Sequence, residues 1–342
     1  MFTVGIVGYG VVGQRRHSTL QQFENFKVVA VSDKTFTEDT APKNLKWYSD
    51  FKDLILNEKI DVLLVCLPNK FAVEATLLGL KNDMHVFCEK PPARSVAELI
   101  PIHEFMKTSN HKLMYGFNHR FHASVMEAKL LIDSKKLGSI VNLKGTYGKS
   151  KMISFNQTDW RTDRDQSGGG ILLDQGIHML DLMRYFAGDF TKVFSVIKNN
   201  FWNFDVEDNA YVLMETADQV VAQLHSSATQ WRHVFNLEIT LQKGSIILGG
   251  LLTSSKSYGS ETLKIISSDP DTDQGHPQET INTFEEDISW YEEMACFTSA
   301  IENSDNIENG SIEEAMKIME LIEKIYQSDP AVSYTHLTLP TS

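Results

Sequence analysis

Glycines 8, 10 and 13 stand directly after the apolar run Thr3–Val7 and before a helical pattern. Glycines so placed between a strand and a helix bring backbone close to a phosphate. Gly8 permits the tight turn, Gly10 lets a pyrophosphate approach, and Gly13 lets helix and strand pack closely. The helix N-terminus then offers unpaired N–H groups and a partial positive charge. Asp33 closes the second apolar run, 20 residues past Gly13. An acid there accepts from ribose hydroxyls and repels a 2′-phosphate, which points to NAD; Lys34 beside it is able to pair with that phosphate, which keeps NADP open. Arg15 and Arg16 read as a solvated helix face, with a pyrophosphate contact as the alternative. Lys90, in Cys88-Glu89-Lys90-Pro91-Pro92, ends the fourth apolar run, and carboxyl ends of strands are where ligands and catalytic groups collect in open α/β sheets. A plain surface cation is the competing reading.

These residues need a scaffold, and the first third of the chain supplies one. Runs at 3–7, 27–31, 61–67, 85–88 and 112–115 are continuously apolar rather than alternating, which predicts strands covered on both faces, hence a parallel sheet flanked by helices. After about residue 120 a helix over 124–132 leads to strand-like runs at 140–147, 193–197, 210–214, 220–225, 235–241 and 245–248. Their hairpin-like spacing predicts a mainly antiparallel open sheet in an α+β domain. Two closing helices carry apolar stripes, Trp290/Met294/Phe297/Ile301 and Ile312/Met316/Met319/Ile322/Tyr326, each opened by a capping box, Ser289 with Glu292 and Ser311 with Glu314. The expected organisation is a dinucleotide-binding domain over 1–120 and an α+β domain over 121–330. The tail 331–342 looks like adapter or vector read-through and is set aside.

Composition bounds the partners. The 342 residues carry 45 acids against 32 bases, and 17 of the acids but only 2 of the bases fall between Asp269 and Asp329. Residues before that stretch are near neutral, so acidity excludes nucleic acid and anionic membrane as main partners but not a small anionic ligand. Cys66, Cys88 and Cys296 have no metal-binding or CxxC spacing and read as reduced thiols. No metal is expected. The N-terminus lacks a basic signal-peptide region and no apolar run reaches the roughly 20 residues of a membrane span, so cytoplasm is the expected location.

Four motifs together resemble the Gfo/Idh/MocA family of NAD(P)-dependent sugar and polyol oxidoreductases: Gly8 to Gly13, Glu89-Lys90-Pro91, Gly116-Phe-Asn-His-Arg-Phe121, and Gly168 through Asp174 and His178 to Asp181. The resemblance implies an N-terminal Rossmann domain with a C-terminal α+β domain, final helices packed near the first domain, and a homodimer or homotetramer. It implies a cofactor site of Gly8, Tyr9, Gly10, Val11, Val12, Gly13, Asp33, Lys34, Leu67, Pro68, Asn69, Glu89, Lys90 and Asn118. It also implies Lys90, Asp174 and His178 as catalytic groups. Asp174 and His178 lie four apart on one helix face; His178 suits proton transfer at neutral pH, and Lys90 suits holding a developing alkoxide. Asp181 is expected to be structural, and glycines 168–170 to let backbone pass close to substrate. Two departures stand out: Ala72 where the family commonly has a histidine, and Pro92 where an apolar side chain is usual.

For substrate the same reading names Arg120, Tyr147, Lys149, Trp160 and Arg161 beside Lys90, Asp174 and His178. Cations at 149, 151, 161 and 164 are suited to a phosphate or pyrophosphate, with Trp160 stacked on a ring, and Thr229–His233 adds similar character. A solvated sheet edge is the alternative. A nucleotide-activated sugar is therefore expected first and an inositol-like polyol second. The family also includes a non-catalytic NAD(P)-sensing regulator and hydrolases that use NAD transiently, and these are the rival functions.

Overall fold

β-Branched side chains keep few rotamers and pack well on a pleated surface, so the early apolar runs become strands. The computed structural model describes residues 1–150, 159–253, 256–269, 271, 273 and 275–329. Its first strands are β1 (Phe2–Val7), β2 (Phe26–Ser32), β3 (Lys46–Tyr48), β4 (Val62–Val65), β5 (His85–Glu89) and β6 (Leu113–Gly116), with helices α1 (Val11–Leu20), α2 (Phe51–Asn57), α3 (Asn69–Lys81) and α4 (Val96–Met106) between them. All pairings are parallel, in the order β3-β2-β1-β4-β5-β6. This is the Rossmann order, whose direction reverses at β1, opening a crevice beyond the strand ends. β4 is buried throughout, as its unbroken apolar run requires. β3 is an addition to the expected set: three exposed or half-buried residues are too few to show a period.

Past a 3-10 turn (Asn118–Phe121) come α5 (Ala123–Asp133), β7 (Ile140–Gly148) and the single turn α6 (Arg164–Ser167). A π-helical turn (Leu172–Gly176) then runs into α7 (Ile177–Ala187). Strands β8 (Phe190–Lys198), β9 (Asn209–Thr216), β10 (Val221–Ser227), β11 (Val234–Leu241), β12 (Gly244–Gly249), β13 (Glu261–Ser267) and β14 (Gln278–Phe284) complete an 8-stranded sheet ordered β14-β13-β12-β11-β7-β10-β9-β8. Among the described residues only β7 and β10 pair in parallel; the other pairings are antiparallel. Burial alternates along β9, β10 and β11, so one face is packed and the other open.

β13 and β14 extend the sheet beyond the expected strands. The acidic stretch after Ser268 therefore contains the mostly exposed edge strand β14. Charge on an exposed edge discourages pairing with other chains. Helices α8 (Ser289–Glu302) and α9 (Ile312–Ser328) follow, and α9 buries Ile312, Ala315, Ile318, Met319, Ile322, Ile325 and Tyr326. Ser311 accepts from Glu314 N–H at 3.3 Å, as a cap should. At α8, Asp287 accepts from both the N–H and the hydroxyl of Ser289.

The chain divides into two compact units: residues 1–118, 165–168 and 290–319 form the first, and 119–164, 169–289 and the chain from 320 form the second. The division after 118 lies next to the expected boundary, but two later pieces join the first unit, so the second is not continuous. The expected tail, 331–342, lies outside the described residues. Among the described residues no helix is long and apolar enough to cross a membrane.

Candidate active site

In the first unit, Gly8 adopts φ +86°, and a Cβ there would lie 2.4 Å from the carbonyl oxygen of Cys66. A Cβ on Gly13 would lie 2.2 Å from the carbonyl oxygen of Gly8, which is the close helix–strand approach expected. Gly10 differs: a Cβ would meet nothing within 4 Å. Gly10 is the N-cap of α1, which has no side-chain cap and no acid in its first turn, and Val11 beside it is exposed with Val12 half-buried. The N–H groups of Gly8 and Tyr9 both donate to Ser32 at the end of β2, and the Tyr9 hydroxyl meets Nδ1 of His17 at 2.5 Å. Burial pushes the Tyr9 hydroxyl pKa up.

Asp33 is half-exposed, with Oδ1 accepting from the N–H and hydroxyl of Thr35, while Lys34 is exposed. Leu67 and Pro68 are half-buried after β4, and the Asn69 amide donates to the Ser167 carbonyl at 2.7 Å. An open turn, an uncapped helix start and a carboxylate closing β2 fit a dinucleotide. Gly8–Gly13 would hold its pyrophosphate and Asp33 its ribose.

Glu89 ends β5, Lys90 follows it, and Asn118 follows β6; both Lys90 and Asn118 are half-buried. Arg16 overturns its reading as a solvated cation. It is wholly buried: Nε donates to Glu89 at 2.6 Å, a terminal nitrogen to Glu293 at 2.6 Å, and the guanidinium lies against the rings of Phe87 and Trp290. Although burial disfavours its charge, the two glutamates hold its pKa above the ordinary arginine value. Such a buried pair is costly to break from one side. Glu89, named for cofactor contact, is thus anchored by α1 next to Lys90. The three thiols are free, and burial pushes that of Cys88 up to about 12.

In the second unit, the π-helical turn presents Asp174 and the start of α7 presents His178. Such turns are frequent at functional sites. Glu207 shapes this one. Its carboxylate accepts from Gly170 N–H at 2.8 Å, Leu172 N–H at 3.0 Å and the Tyr326 hydroxyl at 2.8 Å. A Cβ on Gly170 would lie 2.1 Å from the Glu207 carbonyl oxygen, and one on Gly169 would lie 2.3 Å from the Tyr326 hydroxyl. In the first unit, one on Gly168 would collide with Arg94. Protein, not substrate, explains all three glycines, against expectation.

Asp174 accepts from Lys149 Nζ at 2.8 Å and pairs with Arg161 at 3.4 Å, and Arg161 lies over the ring of half-buried Trp160. His178 is buried and stacked on His119, centroids 3.7 Å apart and planes within 12°. His119 in turn meets the hydroxyl of Tyr147 at 3.0 Å. Tyr147 is buried and packed edge to face on Tyr258, and burial raises both hydroxyl pKa values, Tyr258 to about 12. Tyr147 therefore orders the ring stack, a different place from the substrate contact expected of it. Arg120 is corrected outright: its buried guanidinium grips Asp181 through two bonds, 2.8 and 2.6 Å, and lies against Tyr185. Asp181 is structural as expected.

Two residues were missed. His119 sits inside a quoted motif, but only the fold brings it onto His178. Gln175 lies between Asp174 and His178 in sequence; its amide nitrogen donates to Tyr258, while its buried Oε1 has no hydrogen-bond partner among the described residues. Among the described residues no cluster of three or more His, Cys, Asp or Glu is arranged to hold a metal.

Two family models match this chain: the GFO/IDH/MocA oxidoreductase family with its NAD-binding Rossmann fold over residues 2–117, and the GFO/IDH/MocA C-terminal domain over residues 125–247. The chain belongs to the Gfo/Idh/MocA family. Residues 2–117 are accordingly the family's NAD-binding Rossmann domain. D-glucoside 3-dehydrogenase of Escherichia coli is 32% identical over 203 residues, 58% of this chain and 57% of that protein. Glucose-6-phosphate 3-dehydrogenase of Bacillus subtilis is 28% identical over 229 residues, 66% of this chain and 65% of that protein. The chain thus matches less than two thirds of the length of either relative. A solved structure of levoglucosan dehydrogenase with NADH and levoglucosan shares the fold, with TM-score 0.84 at 19% identity and 97% of each chain covered.

Proposed function

We propose that this protein is an NAD-dependent sugar dehydrogenase acting on a ring hydroxyl of an unphosphorylated sugar. The observation that carries the reading is the Asp174 cluster, where a carboxylate is pre-bonded by Lys149 and Arg161 on the helical turn that leads to His178. His178 takes the hydroxyl proton. Lys90 lowers that hydroxyl's pKa and holds the alkoxide as it forms. Asp174 accepts a hydrogen bond from a substrate hydroxyl. NAD, held by the Gly8–Gly13 turn and Asp33, supplies the two-electron acceptor.

The same cluster weighs against the expected nucleotide-activated sugar. Lys149 and Arg161 both pair with Asp174, and Arg164 donates its main-chain N–H to the Asp205 carboxylate and its Nε to the Asp205 carbonyl. Lys151 lies outside the described residues. Cations already bonded within the protein give a weak grip on a pyrophosphate, and a neutral ring fits better. Homo-oligomerisation through the open sheet face is part of the proposal: exposed Phe194 pairs in register with exposed Leu213, two residues from exposed Tyr211. Light scattering should give a dimer or tetramer.

A panel of neutral sugars and polyols with NAD, read by NADH absorbance, tests the reaction. Lys90→Ala should lower turnover more than about a hundredfold while NADH affinity stays within about twofold. A full-rate variant removes Lys90 from the chemistry. Binding of NADH with no turnover across the panel favours the cofactor-sensing regulator instead.

A further inference from the structure

Two aromatic rings stand in solvent at one end of the second unit's sheet, and the proposed reaction does not use them. Trp231 is 84% exposed and Phe201 51%. Their rings meet edge to face with centroids 6.3 Å apart. Phe201 also meets Trp202 edge to face at 5.0 Å, and Trp202 lies parallel to Phe204. A single exposed apolar residue is ordinary, but rings from two separate loops joined over a part-buried indole make a patch of the kind that marks a binding surface.

Strand register puts this patch at the end of the sheet that carries the Asp174 cluster. Gly148, the last residue of β7, is in register with Ser227 at the end of β10 and with Val234 at the start of β11, while Ser227 is in register with Asn209 at the start of β9. Three loops rise from that one end, after β7, before β9 and between β10 and β11. The backbone ties them together. Lys149 N–H donates to Ser227 at 2.9 Å, Gln230 N–H donates to Lys149 at 3.0 Å, and the Trp202 indole donates to Ala228 at 2.7 Å. Trp231 is thus the residue next to a direct backbone bond with Lys149, whose ammonium holds Asp174.

The geometry points to a second subsite, in which Trp231, braced by Phe201, stacks on a ring attached to the sugar that is oxidised. An indole face presented to water beside a polar cluster complements a flat ring or the C–H face of a pyranose, whose hydroxyls stay solvated. The inference rests on the proposed reaction for the position of the oxidised sugar. It narrows the substrate to a glycoside with two linked rings. The second ring is either another sugar or an aromatic aglycone.

Calorimetric titration of the NADH-loaded protein with methyl glucosides, phenyl glucosides and glucosyl-glucose disaccharides, in both anomeric forms, tests it. At least one two-ring ligand should bind about three- to tenfold more tightly than its methyl counterpart, the size of one aromatic stacking contact. Trp231→Ala should bring that ratio to about one, and Trp231→Phe should retain most of it. The phenyl and disaccharide arms identify which ring is taken. Equal binding of one- and two-ring ligands to the wild-type protein overturns the subsite, as does a ratio unchanged in Trp231→Ala. A Trp231→Ala protein whose lost preference accompanies a change of subunit number also overturns it, because the ring is then an interface contact. Binding is read without turnover, so the subsite and the reaction fail separately. Ring preference without oxidation of any sugar removes only the dehydrogenase reading.

Discussion

The glycines at 8, 10 and 13 and those at 168, 169 and 170 both precede a helical segment, yet their surroundings differ. In the first set the outer two are closed by backbone, while Gly10 faces a space with nothing within 4 Å of a Cβ. In the second set all three are closed, by Arg94, Tyr326 and Glu207. The helix starts follow suit. α1 has no side-chain cap, whereas the N–H groups of Gly170 and Leu172 end on the Glu207 carboxylate, and Ser124 N–H at the start of α5 ends on Glu261. A helix start left open is available to a ligand phosphate; one closed by a carboxylate is scaffold.

Opposite failures at the two sites would establish that difference. Gly10→Val has room and an ordinary φ of −74°, so the protein should fold with its melting temperature changed by no more than about 2 °C. NADH affinity, read by fluorescence titration, should fall more than about a hundredfold because the side chain occupies the space for the pyrophosphate. Gly170→Ala has no room, and overpacking against the Glu207 backbone should cost about 1–3 kcal/mol in denaturant unfolding, with NADH affinity retained. If Gly10→Val binds NADH normally, the open shell is incidental. If Gly170→Ala is as stable as wild type, the crowding around it is not a constraint.

Local pattern explains which parts were legible in the sequence. The continuously apolar runs of the first unit became β1, β2, β4, β5 and β6, and the alternation in β9, β10 and β11 marked one buried face. β3 and β14 were not legible, because one is three residues long and the other is polar on both faces. The site divided along the same line. Gly8, Gly10 and Gly13 lie within one turn of chain, and that turn was readable there. Arg16 looked solvated because its partners are 73 and 277 residues away. Glu207 went unread because Gly170 is 37 residues off, and no sequence period announces such a bond. The cations at 149 and 161 were visible, but that Asp174 occupies both was a fact of tertiary structure.

The two capping carboxylates differ in turn, and their acid–base behaviour sharpens the contrast most finely. Burial raises the pKa of Glu207 above 4.5, outweighing the bonds from Tyr326, Gly170 and Leu172 that favour its charge. Burial acts the same way on Glu261, but there the hydrogen bond and charge of His122 and the Ser124 N–H prevail and lower it below 4.5. The signs then oppose. Glu261 holds fewer protons folded than unfolded, so its stabilisation is present above pH 4.5 and is lost as pH falls through its lowered pKa. Glu207 holds more protons folded than unfolded, so its contribution is present below pH 4.5 and diminishes as pH rises through its raised pKa. Melting temperatures of wild type, Glu207→Gln and Glu261→Gln across the acid-to-neutral range read this directly. Relative to wild type, Glu261→Gln should worsen with rising pH up to about 4.5 and then level, while Glu207→Gln should improve as pH rises above that value. Parallel curves for the two variants would show that both caps carry the same charge state, and that the 2.8 Å bond between Glu261 and His122 does not set them apart.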